Sequence, residues 1–408
     1  MSAAVAERAA VRPAAAAGAR RGRPHVYEVD PLRVLTALVV VGVHTLAFTS
    51  ALNQGDLAVQ IHNAMLTTTH FTREVFLFIT GFTLTYVYFG KPFAFRHFWS
   101  RRSVGVLLPY CIWTVIYAQV NTPQPSLGAF AKVVGGDLLT GAASYQLYYI
   151  TLTLQFYVLL PVFLAFLGRV RRHPWWTLGI SLLVQVVVLD LDYRYLESGR
   201  LASSAFWRSV DSVQNSVVLL YQFFFILGGF TALYFPQIRA AVLRHGRWTA
   251  AALALALVGL WVHFFYQVRV AHEQIDYAVD VLQPIMVPYS AAVIACAGWW
   301  AARWAQRRDA TGRPRGERWW RLVADASFGI YLVHALVLTA VLTRVVPAMP
   351  AAWPAGLRIF CAWVLAAGGA TLISVAMTKI PVVSRLVGRN QPWPAALNPR
   401  RRLAPATE

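Results

Sequence analysis

About ten runs of roughly 17–22 predominantly apolar residues constrain this chain most, because each is long enough to cross a hydrocarbon layer about 30 Å thick as an α-helix. They fall near residues 32–52, 71–89, 103–120, 146–168, 175–191, 216–234, 248–266, 283–302, 322–343 and 357–378. In lipid a backbone must satisfy its own N–H and C=O groups, which a helix does within the segment. The separators carry turn chemistry, as in "NTPQPS" at 121–126, "RRHPWW" at 171–176, "GRPRGERWW" at 312–320 and "AMPAAWPAG" at 348–356. The sequence therefore predicts an all-α integral membrane protein, a bundle of about ten transmembrane helices occupying residues 28–389. A basic tail at 1–27, expected to be disordered, precedes it, and a second tail at 390–408 follows.

Charge then orients the bundle. Only 13% of the residues are charged, about half the share usual in soluble proteins, yet the net charge is +20. Nucleic acid is an unsuitable explanation, since no long soluble stretch exists to gather a basic surface. With the N-terminus cytoplasmic, the segments up to residue 33 and at 90–103, 168–175, 235–248, 303–321 and 379–408 hold 29 of the 37 basic residues. The positive-inside rule thus predicts both termini on the cytoplasmic side of the cell's inner (plasma) membrane. That face also suits a polyanionic ligand or anionic lipid. The scarcity of Lys (Lys91, Lys132 and Lys379) beside abundant Arg and Ala hints at a GC-rich bacterial genome. Cys111, Cys296 and Cys361 lie inside apolar runs with no paired spacing, so they read as packing residues, and no metal site is expected.

Polar residues inside the runs are costly and need a reason. In "RVLTALVVVGVH", Arg33 and His44 are eleven residues apart, which puts them on one helix face about 16 Å apart along the axis. Asp30-Pro31 is expected to cap this helix, leaving Arg33 at the inner rim and His44 near mid-depth. "ASFGIYLVH" sets His334 thirteen residues beyond the cytoplasmic Arg321, at a depth close to that of His44, with Tyr331 on the same face. The two imidazoles meet only if their helices are neighbours. An imidazole is suited to take a proton from a hydroxyl and return one to a leaving thiolate.

Other polar positions admit two readings each. His70, Arg73 and Glu74 open the second run, either as an interfacial charge arrangement or as groups that orient an extracytoplasmic substrate. Arg96, Arg101 and Arg102 in "FRHFWSRR" are positive-inside charges singly, and with Arg33 they form a set suited to phosphates. Tyr148, Tyr149, Gln155 and Tyr157 fit packing or a site. The glycines of "TGF" at 80–82, "LGGF" at 227–230 and "AGGA" at 367–370 are expected to permit close helix approach.

Taken together, these motifs resemble acyltransferase family 3, bacterial integral membrane O-acyltransferases of about ten helices. The similarity lies in the Arg33/His44 spacing, in "VFLFITGFTL" with Thr80 where the family usually has Ser, in "FRHFWSRRSVGVLLPY", in "SFGIYLVH" and in "TKIPVVSRLVG", and runs from about residue 26 to 390. It implies transfer of an acyl group, usually acetyl, from cytoplasmic acyl-CoA as co-substrate to a hydroxyl of a cell-surface glycan, exopolysaccharide, lipid-linked sugar or small acceptor. It further implies that Arg33 contacts the donor, that His44 is the catalytic histidine, and that Arg101 and Arg102 help hold the CoA phosphates. Arg96 joins the donor set, His334 or Tyr331 assists His44, and Arg73, Glu74 and Tyr149 are candidates for acceptor binding. Direct transfer and an acyl-enzyme both remain open. Arg73-Glu74-Val75 replaces the family's Gly-Val-Asp, a pattern associated with an exopolysaccharide-modifying branch, and Tyr148 or Tyr149 replaces a Trp. No esterase-like domain follows the tenth run, so a scheme needing a fused second domain is not expected. The rival reading is a multi-span transporter or flippase of a glycan or polyol, against which stands the lack of a visible inverted repeat.

Overall fold

The computed structural model describes residues 23–312 and 317–391; most of both expected tails lies outside them. Helix α1 (Val29–Thr49) starts from a turn at Tyr27–Glu28 rather than from an Asp30 cap. Asp30 already lies within the first helical turn, and its carboxylate faces His25 Nε2 at 2.8 Å. A short helix α2 (Asp56–Thr69) follows, pinned to α1 where His62 Nε2 meets the Leu46 carbonyl at 2.8 Å. The hydropathy pattern gave no reason to expect α2, because its buried face includes His62, Asn63 and Thr67.

The remaining helices are α3 (Thr72–Tyr88), α4 (Phe95–Arg102), α5 (Leu108–Asn121), α6 (Leu127–Thr140), α7 (Tyr148–Val170), α8 (Pro174–Leu191), α9 (Ala205–Asp211), α10 (Gln222–Leu233), α11 (Phe235–Arg244), α12 (Gly246–Arg269), α13 (Ile275–Ala278), α14 (Met286–Thr311), α15 (Glu317–Ala340) and α16 (Ala355–Lys379). Each of the ten apolar runs thus contains a helix, and the described residues form no strand. A π-helical stretch at Ser103–Leu107 joins α4 to α5 into one length of helix. Among the described residues seven helical lengths are long and apolar enough to cross a membrane, or eight if the pair α10 and α11, bent by 97°, counts as one. Of the other runs, α3 has only 17 residues, and α14 devotes its second half to Trp, Arg and Gln.

Two helix groupings position the site. In the first, α1 packs on α15 and α16, with Val34, Val41 and Ile330 against the fully buried Ala362, Ala366 and Ala370, small residues that let helices approach in lipid. In the second, α3 and α10 cross at backbone distance. A Cβ at Gly81 would strike the Phe225 carbonyl oxygen, and one at Gly228 the Phe78 carbonyl oxygen, so both glycines are required by the crossing. The expectation for "TGF" and "LGGF" is met, and in "AGGA" it is Gly369 that faces Val337 of α15. Helix α7 contributes to the core on both sides, through Leu152 and Phe156 beside α10 and through Ile150 beside α5 and α15. The three cysteines are unpaired and half-buried rather than fully buried.

Candidate active site

The neighbouring of α1 and α15 brings His44 and His334 together, rings nearly parallel at 21° with centroids 5.4 Å apart. A third ring completes the group. Tyr145 lies 4.3 Å from His44 and 6.2 Å from His334, centroid to centroid. It comes from the irregular segment 141–147, which begins at Gly141 (φ +78°) and leads into α7. Gly141 ends α6 in the left-handed region, and a Cβ there would also run into the Tyr148 backbone.

Hydrogen bonding fixes the state of His334. Its Nδ1 is 2.7 Å from the Tyr331 carbonyl, and a carbonyl only accepts, so Nδ1 carries the proton and donates. In the neutral ring Nε2 is then a free acceptor, and it is buried without a hydrogen-bond partner among the described residues. Tyr145 Oη, Gln146 Nε2 and Tyr149 Oη are buried and unpartnered in the same sense. Of these atoms, His334 Nε2 and Tyr145 Oη belong to rings in contact with His44, where they are available to a substrate's polar groups. Tyr331 is differently employed, its hydroxyl donating to the Gln146 carbonyl and its own carbonyl holding His334. Tyr117 reinforces the same turn of α15, its hydroxyl donating to the Leu332 carbonyl at 2.6 Å.

Below this centre, toward the N-terminal end of α1, lies a cavity of about 580 Å³. Arg33, Arg101 and Arg102 line it together with Tyr149 and Tyr331. Arg33 makes no ion pair or hydrogen bond with any described residue, while Arg102 lies over the Tyr157 ring, 4.9 Å from its centroid. Arg96 sits on the exposed part of α4 and does not line the cavity. The rings of Tyr149 and Tyr331, 6.0 Å apart, both line the cavity, and the His334 ring lies 6.0 Å from that of Tyr331.

Arg73 is committed to the fold. Only 8% exposed, it donates from Nη1 to Asn215 Oδ1 (2.9 Å) and Tyr221 Oη (2.8 Å) and from Nη2 to the Val281 carbonyl (3.0 Å). It thereby ties α3 to two loops, and it forms no ion pair with Glu74, whose Oε2 is buried and unpartnered. His70 and Arg73 both lie near enough to act electrostatically on His44. Tyr145, Gln146, Asp325 and Arg389 border the centre or cavity and were not anticipated; none belongs to a spacing motif, and only the approach of distant segments reveals them.

A polytopic helical protein in which an arginine-rimmed cavity leads toward paired histidines is of a kind fit for group transfer within a membrane. The chain belongs to acyltransferase family 3, whose acyltransferase-domain model matches residues 26–379, nearly the whole sequence. It is thus a membrane acyltransferase. No curated protein and no solved structure gives a significant match. Among the described residues no group of three or more His, Cys, Asp or Glu is arranged to hold a metal ion.

Proposed function

We propose that this acyltransferase takes an acyl group, acetyl by preference, from acyl-CoA on the cytoplasmic side and places it on a hydroxyl of an extracytoplasmic glycan, exopolysaccharide or other membrane-associated acceptor. The observation that carries this reading is the alignment of Arg33, the cavity and the His44–His334 pair along α1 and α15. In this reading ten spans cross the inner membrane, with both termini cytoplasmic. Arg33, Arg101 and Arg102 bind the phosphates of CoA, for which bidentate guanidinium geometry is well matched. The pantetheine arm runs up the cavity, and the thioester passes between Tyr149 and Tyr331.

His44 is the base. The unpartnered Nε2 of His334, in the ring stacked 5.4 Å from His44, is available to a polar group of the substrates, and His44 receives the acceptor's proton. The acceptor oxygen attacks the thioester carbonyl carbon, the C–O bond forms as the C–S bond breaks, and the proton held by His44 goes to the departing thiolate. Transfer through an acylated His44 needs the same groups and adds one covalent stage. Tyr331 is a positioning residue in this scheme, since its carbonyl sets the His334 tautomer. Glu74, with a buried oxygen unpartnered among the described residues, is the stronger candidate for orienting the acceptor, whereas Arg73 ties α3 to the loops through its hydrogen bonds.

The experiment is radiolabelled acetyl-CoA supplied to the cytoplasmic face of native-host membrane vesicles carrying wild type or His44→Ala at matched folded levels. Label entering glycan, lipid or a small product only with wild type is expected. Equal labelling in both, or none with any acyl-CoA while vesicles accumulate a glycan or polyol without donor, would replace this mechanism with the transport reading.

A further inference from the structure

Between α16 and the end of the described chain, residues 380–391 fold back onto the cavity, whose lining includes Val387, Gly388 and Arg389. The segment is fastened at several points. Trp113 Nε1 donates to the Leu386 carbonyl at 2.8 Å, Ser384 is fully buried, and the Gln391 N–H donates to Ser384 Oγ at 3.0 Å. The short helical turn Val383–Val387 is bracketed by two residues with positive φ, Val382 at +69° and Gly388 at +72°. A β-branched residue in that region is strained, and such strain is held where the surrounding structure needs the backbone in one place. Gly388 is seated so closely that a Cβ would collide with the Gly105 carbonyl oxygen and the Phe328 ring. Gly105 follows directly on the segment that carries Arg101 and Arg102.

What this fastening delivers is Arg389. It lines the same cavity as Arg33, Arg101 and Arg102, and it lies outside the stretch matched by the family model. Its guanidinium is held by Asp325 alone among the described residues, with Nε donating to the Asp325 carbonyl at 3.0 Å and Nη2 to the Asp325 carboxylate at 2.5 Å. Both side chains are substantially open to solvent, at 41% and 63%. Asp325 also lines the cavity, and Arg33 is within electrostatic range of both members of the pair. A half-exposed ion pair is weak and readily exchanged. Its carboxylate presents to the guanidinium the same pattern of anionic oxygens that a phosphate does.

We propose that Arg389 is a fourth donor-binding arginine and that Asp325 is its placeholder, giving up the guanidinium to a phosphate of the incoming donor. This rests on acyl-CoA being the donor. Acetyl-CoA carries a diphosphate and a 3′-phosphate, and both have the required chemistry. The test compares steady-state kinetics of wild type, Arg389→Gln, Arg389→Lys and Asp325→Asn with acetyl-CoA, acetyl-3′-dephospho-CoA and S-acetylpantetheine.

Arg389→Gln is expected to raise KM for acetyl-CoA about tenfold with kcat within about twofold, the pattern of lost ground-state and transition-state binding alike. With S-acetylpantetheine, which has no phosphate, it is expected to match wild type. Arg389→Lys retains the charge and is expected to fall between. Asp325→Asn removes the competing anion and is expected to lower KM for acetyl-CoA. A penalty that vanishes with the 3′-dephospho donor assigns Arg389 to the 3′-phosphate, and one that persists assigns it to the diphosphate. A wild-type KM in Arg389→Gln, or an equal rise for all three donors, overturns the role of Arg389. Wild type inert toward every acyl-CoA would instead overturn the donor reading on which it rests.

Discussion

Replacing Gly81 by Ala tests the crossing that sets α3 against α10. The added methyl would meet not only the Phe225 carbonyl oxygen but also its carbonyl carbon at 3.0 Å and Cα at 3.1 Å. These are backbone atoms of a helix and cannot rotate away. Restoring the 3.5–4.0 Å favoured by non-bonded carbon atoms requires the helices to part by roughly 1 Å. Overpacking of this kind costs about 1–3 kcal/mol, and the backbone obstacle puts Gly81→Ala near the top, at about 3 kcal/mol. Gly228→Ala opens the same crossing from the other helix and is expected to cost a similar amount. Once the helices have parted for one methyl the second meets less resistance, so the double variant should lose about 1–2 kcal/mol less than the sum. Gly259→Ala in α12, with nothing within 4 Å of the new Cβ, is the control and should gain up to about 1 kcal/mol from helix propensity. Reversible unfolding in mixed micelles, followed by tryptophan fluorescence and far-ultraviolet circular dichroism, measures all four. Gly81→Ala as stable as Gly259→Ala, or strictly additive single effects, would refute the crossing.

Three further outcomes are expected. His334→Asn removes the free Nε2 while retaining an amide donor for the Tyr331 carbonyl, so kcat should fall at least about 100-fold with the unfolding curve unchanged, as single-turnover labelling would measure. Arg73→Met leaves Asn215, Tyr221 and the Val281 carbonyl without their shared buried donor and should cost about 3 kcal/mol, read as loss of monodisperse protein after heating in detergent. Burial, then the nearby Glu197, pushes the Asp280 carboxyl up to about 6 from an ordinary 3.8. Its contribution to stability is complete below about pH 4 and is lost as pH rises through 6, so thermal melts should fall across pH 4–7, and Asp280→Asn should flatten that slope.

The helices were legible because length and hydropathy are local properties, and all ten runs hold one. The depth of His44 and His334 followed from rise per residue, but their contact did not, since it depends on α1 and α15 being neighbours. Tyr145 stayed hidden because it sits on an irregular turn whose place is set by Gly141 and by α15 rather than by any period. The same is true of Arg73, whose partners are more than 140 residues away in sequence. The apolar run ends at 234, where the structure breaks between α10 and α11, but the 97° angle there depends on packing and was not readable from Pro236. In each case the sequence carried the side chain and long-range packing chose its company.

The ring pair Tyr149 and Tyr331 bears on more than substrate passage. On the proposed topology, the chain gives a water-soluble cofactor and an external hydroxyl access to one pair of imidazoles, and imidazoles relay protons well. Without a barrier such a route would leak protons down the electrochemical gradient. In that reading Tyr149 and Tyr331, whose rings lie 6.0 Å apart in the cavity lining, are the groups placed to separate the arginines from the histidines.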